Sequence, residues 1–329
     1  MGLLPNYESW GIAAPILLVV LRIVQGMSAG GEWGGAALIA VEHAPALRRG
    51  YFGAFPQLGV PLGMMLATIM MLTLTAAMTP DQFEAWGWRI PFLSSLVLIL
   101  VGVFIRRAVE ESPVFTEMEQ LRERSSAPLK DLFAGHSKLV GQCALIFAGN
   151  NAAGYLLIAF FVSYGSKTLG FPRPVVLGIM LLGSGAWFIS TLFSGHISDV
   201  IGRRAVFFWG YAALILWSLP QWVLVDSGEI FLFALATIVL GILLGVTYGP
   251  QSALYAEIFP ASVRLSGLNI SYALGSIIGG AFAPMISQMI LERTGNAIYI
   301  GVYIAALCVC SMLAVVAVPK GIQGRALGE

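Results

Sequence analysis

Charge is what this sequence has least of. Asp, Glu, Lys and Arg make up only 11% of its 329 residues, against about 25% in soluble domains, which excludes a soluble enzyme, a disordered chain and a collagen. Cysteine is also sparse. Cys143, Cys308 and Cys310 lie inside apolar runs without C-x-x-C spacing, so neither a disulfide framework nor a zinc site is expected, and all three read as packing residues. The three histidines, His43, His136 and His196, fall in or beside polar breaks, which argues against a mid-membrane relay through histidine. No metal cluster and no nucleophile–base pair is visible, so no metal, no cofactor and no enzyme activity is expected. A net charge of +1 offers no basic field for nucleic acid. The first residues lack the charged region, short apolar stretch and small-residue cleavage site of a signal peptide, so insertion is expected to be driven by the spans themselves.

What the sequence has is apolar length. It is 58% hydrophobic with a mean hydropathy of +0.84, and a bilayer core about 30 Å thick takes about 20 apolar residues per helix. Nine spans are expected, at 13–41, 51–75, 91–106, 139–163, 175–193, 205–225, 230–255, 266–290 and 297–318. They read as helices, because the alternating ten-residue strands of a membrane barrel are missing. The longest polar break, Arg106 to Lys138, carries mixed charge. It divides the chain into a three-helix bundle over 1–105, a linker over 106–138, a six-helix bundle over 139–319 and a tail over 320–329.

Loop charge predicts orientation, because Lys and Arg gather on the cytoplasmic side. Thirteen fall on one side: Arg48, Arg49, Arg106, Arg107, Arg122, Arg124, Lys130, Lys138, Arg203, Arg204, Arg264, Lys320 and Arg325. Four, Arg89, Lys167, Arg173 and Arg293, fall on the other. The C-terminus is therefore expected inside and the N-terminus outside.

An internal repeat accompanies this pattern. Shifting the chain by 215 residues lays Gly26, Gly30, Gly34, Glu42, Pro45, Ala46 and Arg49 on Gly241, Gly245, Gly249, Glu257, Pro260, Ala261 and Arg264. One inserted residue later, Gly59, Gly63 and Ala67 fall on Gly275, Gly279 and Ala283. Spans one, two and three thus match seven, eight and nine, while four, five and six have no upstream counterpart. A chain of two equal halves, as in many transporters, would carry three more helices before Met1.

Between spans five and six stands G-H-I-S-D-V-I-G-R-R, Gly195 to Arg204. It resembles the G-x-x-x-D-x-x-G-R-[RK] loop of the major facilitator superfamily, and L-R-I-V-Q-G (Leu21 to Gly26) resembles that superfamily's Arg-then-Gln-Gly signature. More narrowly, S-A-G-G-E-W-G-G (Ser28 to Gly35), W-G-W-R-I-P-F (Trp86 to Phe92), E-S-P-V-F (Glu111 to Phe115) and Y-G-P-Q-S-A-L-Y-A-E-I-F-P-A-S-V-R (Tyr248 to Arg264) resemble the metabolite:H+ symporter branch, with spans seven and eight nearest its shikimate-transporter group. The resemblance implies an all-helical fold of twelve helices with that loop in each half. Only the second copy stands here, and Gly2 to Gly11 looks like the family's loop between helices three and four. The chain therefore resembles helices four to twelve, N-terminally truncated: an incomplete first half of three helices and a complete second half of six.

The residues carry their own expectations. In the Gly195 to Arg204 loop, Gly195 and Gly202 permit a tight reversal, Asp199 can sit at a helix N-terminus, and Arg203 and Arg204 can pair across the loop. The alternative is that both arginines only anchor the cytoplasmic side. In the family this loop is a gate that breaks as the state changes. Arg22 and Glu32 are the only formal charges well inside a span, where a charge costs about 2.5–3.5 kcal/mol, so both are expected to face the bundle interior. Ten residues apart, they are separated by about 15 Å and need other partners. Glu32 is a candidate proton carrier, the alternative being a fixed hydrogen bond, and Arg22 a candidate for drawing an anionic substrate or tuning a neighbouring acid. Glu42 with Arg49, and Glu257 with Arg264, are candidate charge contacts for structure or gating. The glycine stripes are packing faces.

The resemblance places the first, fourth and seventh spans around a central cavity. Their polar residues Asn150, Asn151, Tyr155, Tyr248, Gln251 and Tyr255, with Gln57 on the second span, are the candidates for substrate contact, helix–helix hydrogen bonding being the alternative for each. Taken together the expectation is an inner-membrane, multi-pass symporter, monomeric, moving a small polar metabolite of the organic-acid, shikimate-like kind with a proton by alternating access. Its partners are then the substrate, the proton and the lipid bilayer. An inactive remnant of such a transporter is the competing expectation, because the family's first helix lines the cavity.

Overall fold

The structure is a computed structural model that describes residues 1–108, 128–319, 321 and 323. Among the described residues nine main helices follow one another: α1 (Ala13–Glu42), α2 (Ala46–Ala77), α3 (Ile90–Ala108), α4 (Ser137–Thr168), α5 (Arg173–Ile201), α6 (Arg203–Trp217), α7 (Ile230–Ile258), α8 (Ala261–Thr294) and α9 (Ile298–Val316). All but α6 are long and apolar enough to cross a membrane, and the described residues contain no strand.

Two expected spans need correction. The sixth, 205–225, is broken: α6 stops at Trp217 and a short helix, Pro220–Val225, resumes after two residues. Pro220 has no N–H to extend the ladder, and its ring crowds the preceding turn. The fifth, expected to end at residue 193, runs on to Ile201. It absorbs most of what the sequence reads as a loop, so Gly195 is helical and the reversal is made at Gly202 alone, whose φ of 97° suits only glycine well. The expected linker, 106–138, lies mostly outside the described residues, as do Glu111 to Phe115 and the tail beyond Pro319 apart from Gly321 and Gln323; its end forms a short helix, Pro128–Gly135.

Helices α4 to α9 pack together, α5 on α7, α4 on α8 and α9, and α6 on α7 and α9. The glycine stripe of α7 is what lets α5 approach. A Cβ on Gly245 would collide with the Ser190 hydroxyl and stand 2.6 Å from the Thr191 amide nitrogen. Likewise a Cβ on Gly275 of α8 would stand 2.7 Å from the Ala144 carbonyl of α4, so both crossings bring backbones into contact. Helix α2 lies along α5, and the end of α1 meets α2, α7 and α8. A Cβ on any of the equivalent stripe residues Gly26, Gly30, Gly59 and Gly63 would meet nothing within 4 Å among the described residues.

Candidate functional site

The end of the molecule where α1, α5 and α7 finish holds a buried ionic cluster. Asp199, in the last turn of α5, accepts hydrogen bonds from the Gly50 and Tyr51 amides, each 2.8 Å. Those amides belong to the first α-helical turn of α2, which starts at Arg49 after a single 3-10 turn, where unpaired N–H groups and the helix dipole favour an anion. Asp199 therefore does sit at a helix N-terminus, but at that of a distant helix. Beside it Arg203 places Nη1 2.7 Å from Asp199 Oδ1 and Nη2 3.4 Å from Glu257 Oε1. Arg49 Nη1 lies 4.0 Å from the same Glu257 oxygen. Next to this group Arg264 Nη1 is 3.6 Å from Glu42 Oε1.

These contacts correct two expectations. The pairs Glu42 with Arg49 and Glu257 with Arg264 exchange partners, because the end of α1 faces the start of α8 and the end of α7 faces the start of α2. Each acid of one repeat thus meets an arginine of the other. Of the two loop arginines, only Arg203 pairs across the reversal. Arg204 turns away, and its Nη2 donates to the Val316 carbonyl at 2.6 Å. Beneath the cluster, a Cβ on Gly195 would lie 2.6 Å from the Gly50 carbonyl and 2.7 Å from Ala54 Cβ. Gly195 therefore serves a helix crossing rather than a turn.

A second, uncharged junction lies next to it. Trp33 Nε1 donates to Gln57 Oε1 at 2.6 Å, and Gln57 Nε2 donates to the Tyr248 carbonyl and to Gln251 Oε1, both at 3.1 Å. The Trp33 ring stacks on Tyr272 with centroids 4.1 Å apart, and Tyr272 stacks on Phe147 at 4.5 Å. The hydroxyls of Tyr272 and Tyr248 are 3.1 Å apart, and the Gly34 amide donates to Asn269 Oδ1 at 2.9 Å. Sequence reasoning missed Trp33, Phe147, Asn269 and Tyr272. For α8 a signal existed: Asn269 and Tyr272 are polar-tipped residues three apart and so share a helix face.

The expected cavity residues divide into three groups. Asn150 is buried, and its Nδ2 donates to the Leu244 carbonyl at 2.9 Å and to Thr247 Oγ1 at 2.6 Å. Tyr255 is buried with its hydroxyl on the Cys143 carbonyl. Both bind helix to helix. Gln57, Gln251 and Tyr248 belong to the junction just described. Asn151 and Tyr155 are only half-buried and stand against Gly280, one and two turns beyond Phe147 on the same face of α4. The Nδ2 of Asn151 has no hydrogen-bond partner among the described residues. Here both helices widen into π turns, Leu156–Phe160 in α4 and Ile277–Ala281 in α8, a distortion frequent at functional sites.

Arg22 and Glu32 are exposed, and Arg22 Nη1 lies 3.3 Å from Gln25 Oε1. The interior that was expected to receive them is therefore not formed by the described residues. Among those residues no group of three His, Cys, Asp or Glu side chains could hold a metal ion.

With this geometry in hand, comparison with known proteins places the chain among transporters. The profile of the Major Facilitator Superfamily matches residues 9–269. A Haemophilus influenzae protein named for metabolite transport is 37% identical, over 96% of this chain and 75% of that protein. The inner membrane metabolite transport protein YhjE of Escherichia coli K12 is 35% identical, and the shikimate transporter of the same organism 32%, each over 95% of this chain and 72% of the relative. Among solved structures, a double-tryptophan mutant of XylE superposes with a TM-score of 0.67 at 17% identity, and a D-xylose-proton symporter with 0.62 at 19%. Each likeness covers 88% of this chain and 68% of the solved one, and shows the fold.

Proposed function

Because the chain belongs to the Major Facilitator Superfamily and is a multi-pass membrane transporter, we propose that it moves a small organic acid of the shikimate kind together with a proton across the inner membrane, by alternating access. The nine helices then correspond to helices four to twelve of the family, as three of one half and six of the other, acting as a monomer. The end bearing Arg49, Arg203 and Arg264 faces the cytoplasm, as does the C-terminus.

One observation carries this reading: the ionic contacts between the two repeats gather at a single end and are buried there. Such an arrangement is a gate in its closed position, so the state described is closed toward the cytoplasm. The Trp33–Tyr272–Phe147 stack forms the floor above it, and Asn151 and Tyr155 stand beyond the floor. The unpartnered amide of Asn151 is a donor suited to a substrate carboxylate or hydroxyl. Glu32, adjacent to Trp33, is placed to carry the proton, with Arg22 as a positive charge further along the same helix. In the cycle, protonation and substrate binding from outside precede rupture of the ionic gate. Release of both to the cytoplasm resets it.

The test is uptake of radiolabelled shikimate into proteoliposomes under an inward proton gradient. The expected result is accumulation that a protonophore abolishes, with Glu32→Gln retaining exchange of substrate but losing accumulation. Gradient-independent equilibration sinks the proton coupling. No uptake at all favours a second reading, an inactive remnant, which the open faces at Gly26, Gly30, Gly59 and Gly63 support.

A further inference from the structure

Arg204 is the member of the double arginine that the gate leaves aside. Of its five N–H donors, one meets the Val316 carbonyl, and no Asp or Glu among the described residues pairs with it. Its neighbour Arg203, by contrast, is neutralised by Asp199 and Glu257. Arg204 lines a groove of 620 Å³ together with Gly202, Arg203 and Ala205, the first turn of α6. That turn begins on a glycine, which supplies no side chain to cap it, so its leading N–H groups lack an acceptor within the helix. Arg204, cationic and without an acidic partner, stands beside a helix N-terminus, and the two together call for an anion.

The groove does not end at the charge. A second groove, of 560 Å³ and almost wholly apolar, shares Ile201 and Trp209 with the first and continues past Ile197, Phe193 and Ile189 on α5 and Ile242 on α7. Its length along α5, from Ile201 to Ile189, is about 18 Å, close to one leaflet of a core about 30 Å thick. Trp209, 67% exposed at the join, is the residue type that settles at the headgroup level. A free phosphate would leave the apolar half of this surface unexplained, and a zwitterionic lipid would leave the charge unanswered.

We propose that this continuous groove binds one anionic phospholipid, its phosphate on Arg204 and the first turn of α6, and an acyl chain along α5 beside Trp209. The test is native mass spectrometry of the full chain released from detergent after addition of phosphatidylglycerol, phosphatidylcholine or inorganic phosphate. One phosphatidylglycerol is expected to be retained in preference to phosphatidylcholine. Arg204→Gln weakens that retention about fivefold, the effect of one basic residue on an anionic lipid, while Arg293→Gln at the opposite end leaves it unchanged. Trp209→Ala weakens it as well, and Arg204→Lys, which keeps the charge, weakens it less than Arg204→Gln. Should Arg204→Gln fail to fold, the last two variants decide. Equal retention of the two lipids overturns the proposal, as does wild-type retention in Arg204→Gln. So does displacement by equimolar inorganic phosphate with Trp209→Ala unaffected, which marks an anion site without a lipid.

Discussion

Helices α1 to α3 and helices α4 to α9 carry the same small-residue stripes and treat them differently. Of the most apolar stretch of α1, 6% is buried, and of α3 also 6%, whereas in α4 the figure is 67%. On α7, Gly241, Gly245 and Gly249 are pressed against α5; on α1, only Gly34 of the matching three meets a neighbour, Asn269. Small residues therefore encode the ability to approach closely, and the approach happens only where a second helix is present to accept it. The exposed side of α1 also bears Arg22, Gln25 and Glu32, a combination that lipid tails solvate poorly. Among the described residues, the second unit leaves this face of the first uncovered.

The ionic cluster joins the two units, so breaking it has the largest expected effect. Asp199→Leu leaves Arg203 short of one buried partner and the first turn of α2 without its anion, a loss of about 3–5 kcal/mol. Hydrogen exchange at the Gly50 and Tyr51 amides should rise accordingly, while exchange across the α5–α7 crossing stays slow. Next comes the stripe itself. Gly245→Val should cost about 3 kcal/mol through overpacking against Thr191, whereas Gly30→Val should change thermal unfolding by less than about 0.5 kcal/mol. If family helices one to three are supplied as a separate peptide and assemble with the chain, Gly30→Val should become as costly as Gly245→Val. Equal costs in the chain by itself would erase the contrast between the units. The uncharged junction is smaller: Gln57→Leu should lose about 1–3 kcal/mol, and a double-mutant cycle with Gln251→Leu should show that the two losses overlap. The smallest effect is expected at Arg22→Gln, within about 0.5 kcal/mol of wild type in unfolding, although uptake driven by a proton gradient should fall.

Much of this was legible in the sequence because bilayers impose length and composition. The apolar runs, the glycine stripes and the repeat at a shift of 215 residues mark the helices and their likeness in the sequence itself. The ends of α5 and α6 were less legible. Gly195 and Gly202 look alike in a motif, yet one serves a helix crossing and the other a reversal, and the distinction lies in what approaches each. Pro220 was visible, but an apolar run on either side of it reads as continuous until backbone hydrogen bonds are traced. The cluster's members Glu42, Arg49, Glu257 and Arg264 were identifiable by type and place, but their exchange of partners depends on which helix ends face each other. Asn150 and Asn151 show the same limit at the cavity. They are adjacent and chemically identical, and a rotation of about 100° between them gives one to α7 and leaves the other with an unpartnered amide. Trp33 was hidden for a related reason, since an aromatic residue in an apolar span gives no sign of which neighbour it will stack against.

The exchanged ion pairs have a consequence for how the transporter should respond to ionic strength. Glu257 is shared by Arg203 and Arg49, and every charge of the cluster is buried, so dissolved salt does not reach it while the end is closed. Once the helix ends separate, the same charges are in water and are screened over about 8 Å at physiological salt. Added salt therefore stabilises the separated arrangement without weakening the joined one. On the gating proposed above, the separated arrangement is expected to become more populated as ionic strength rises, and the molecule then behaves as a two-position device whose bias is set by the solution at that end.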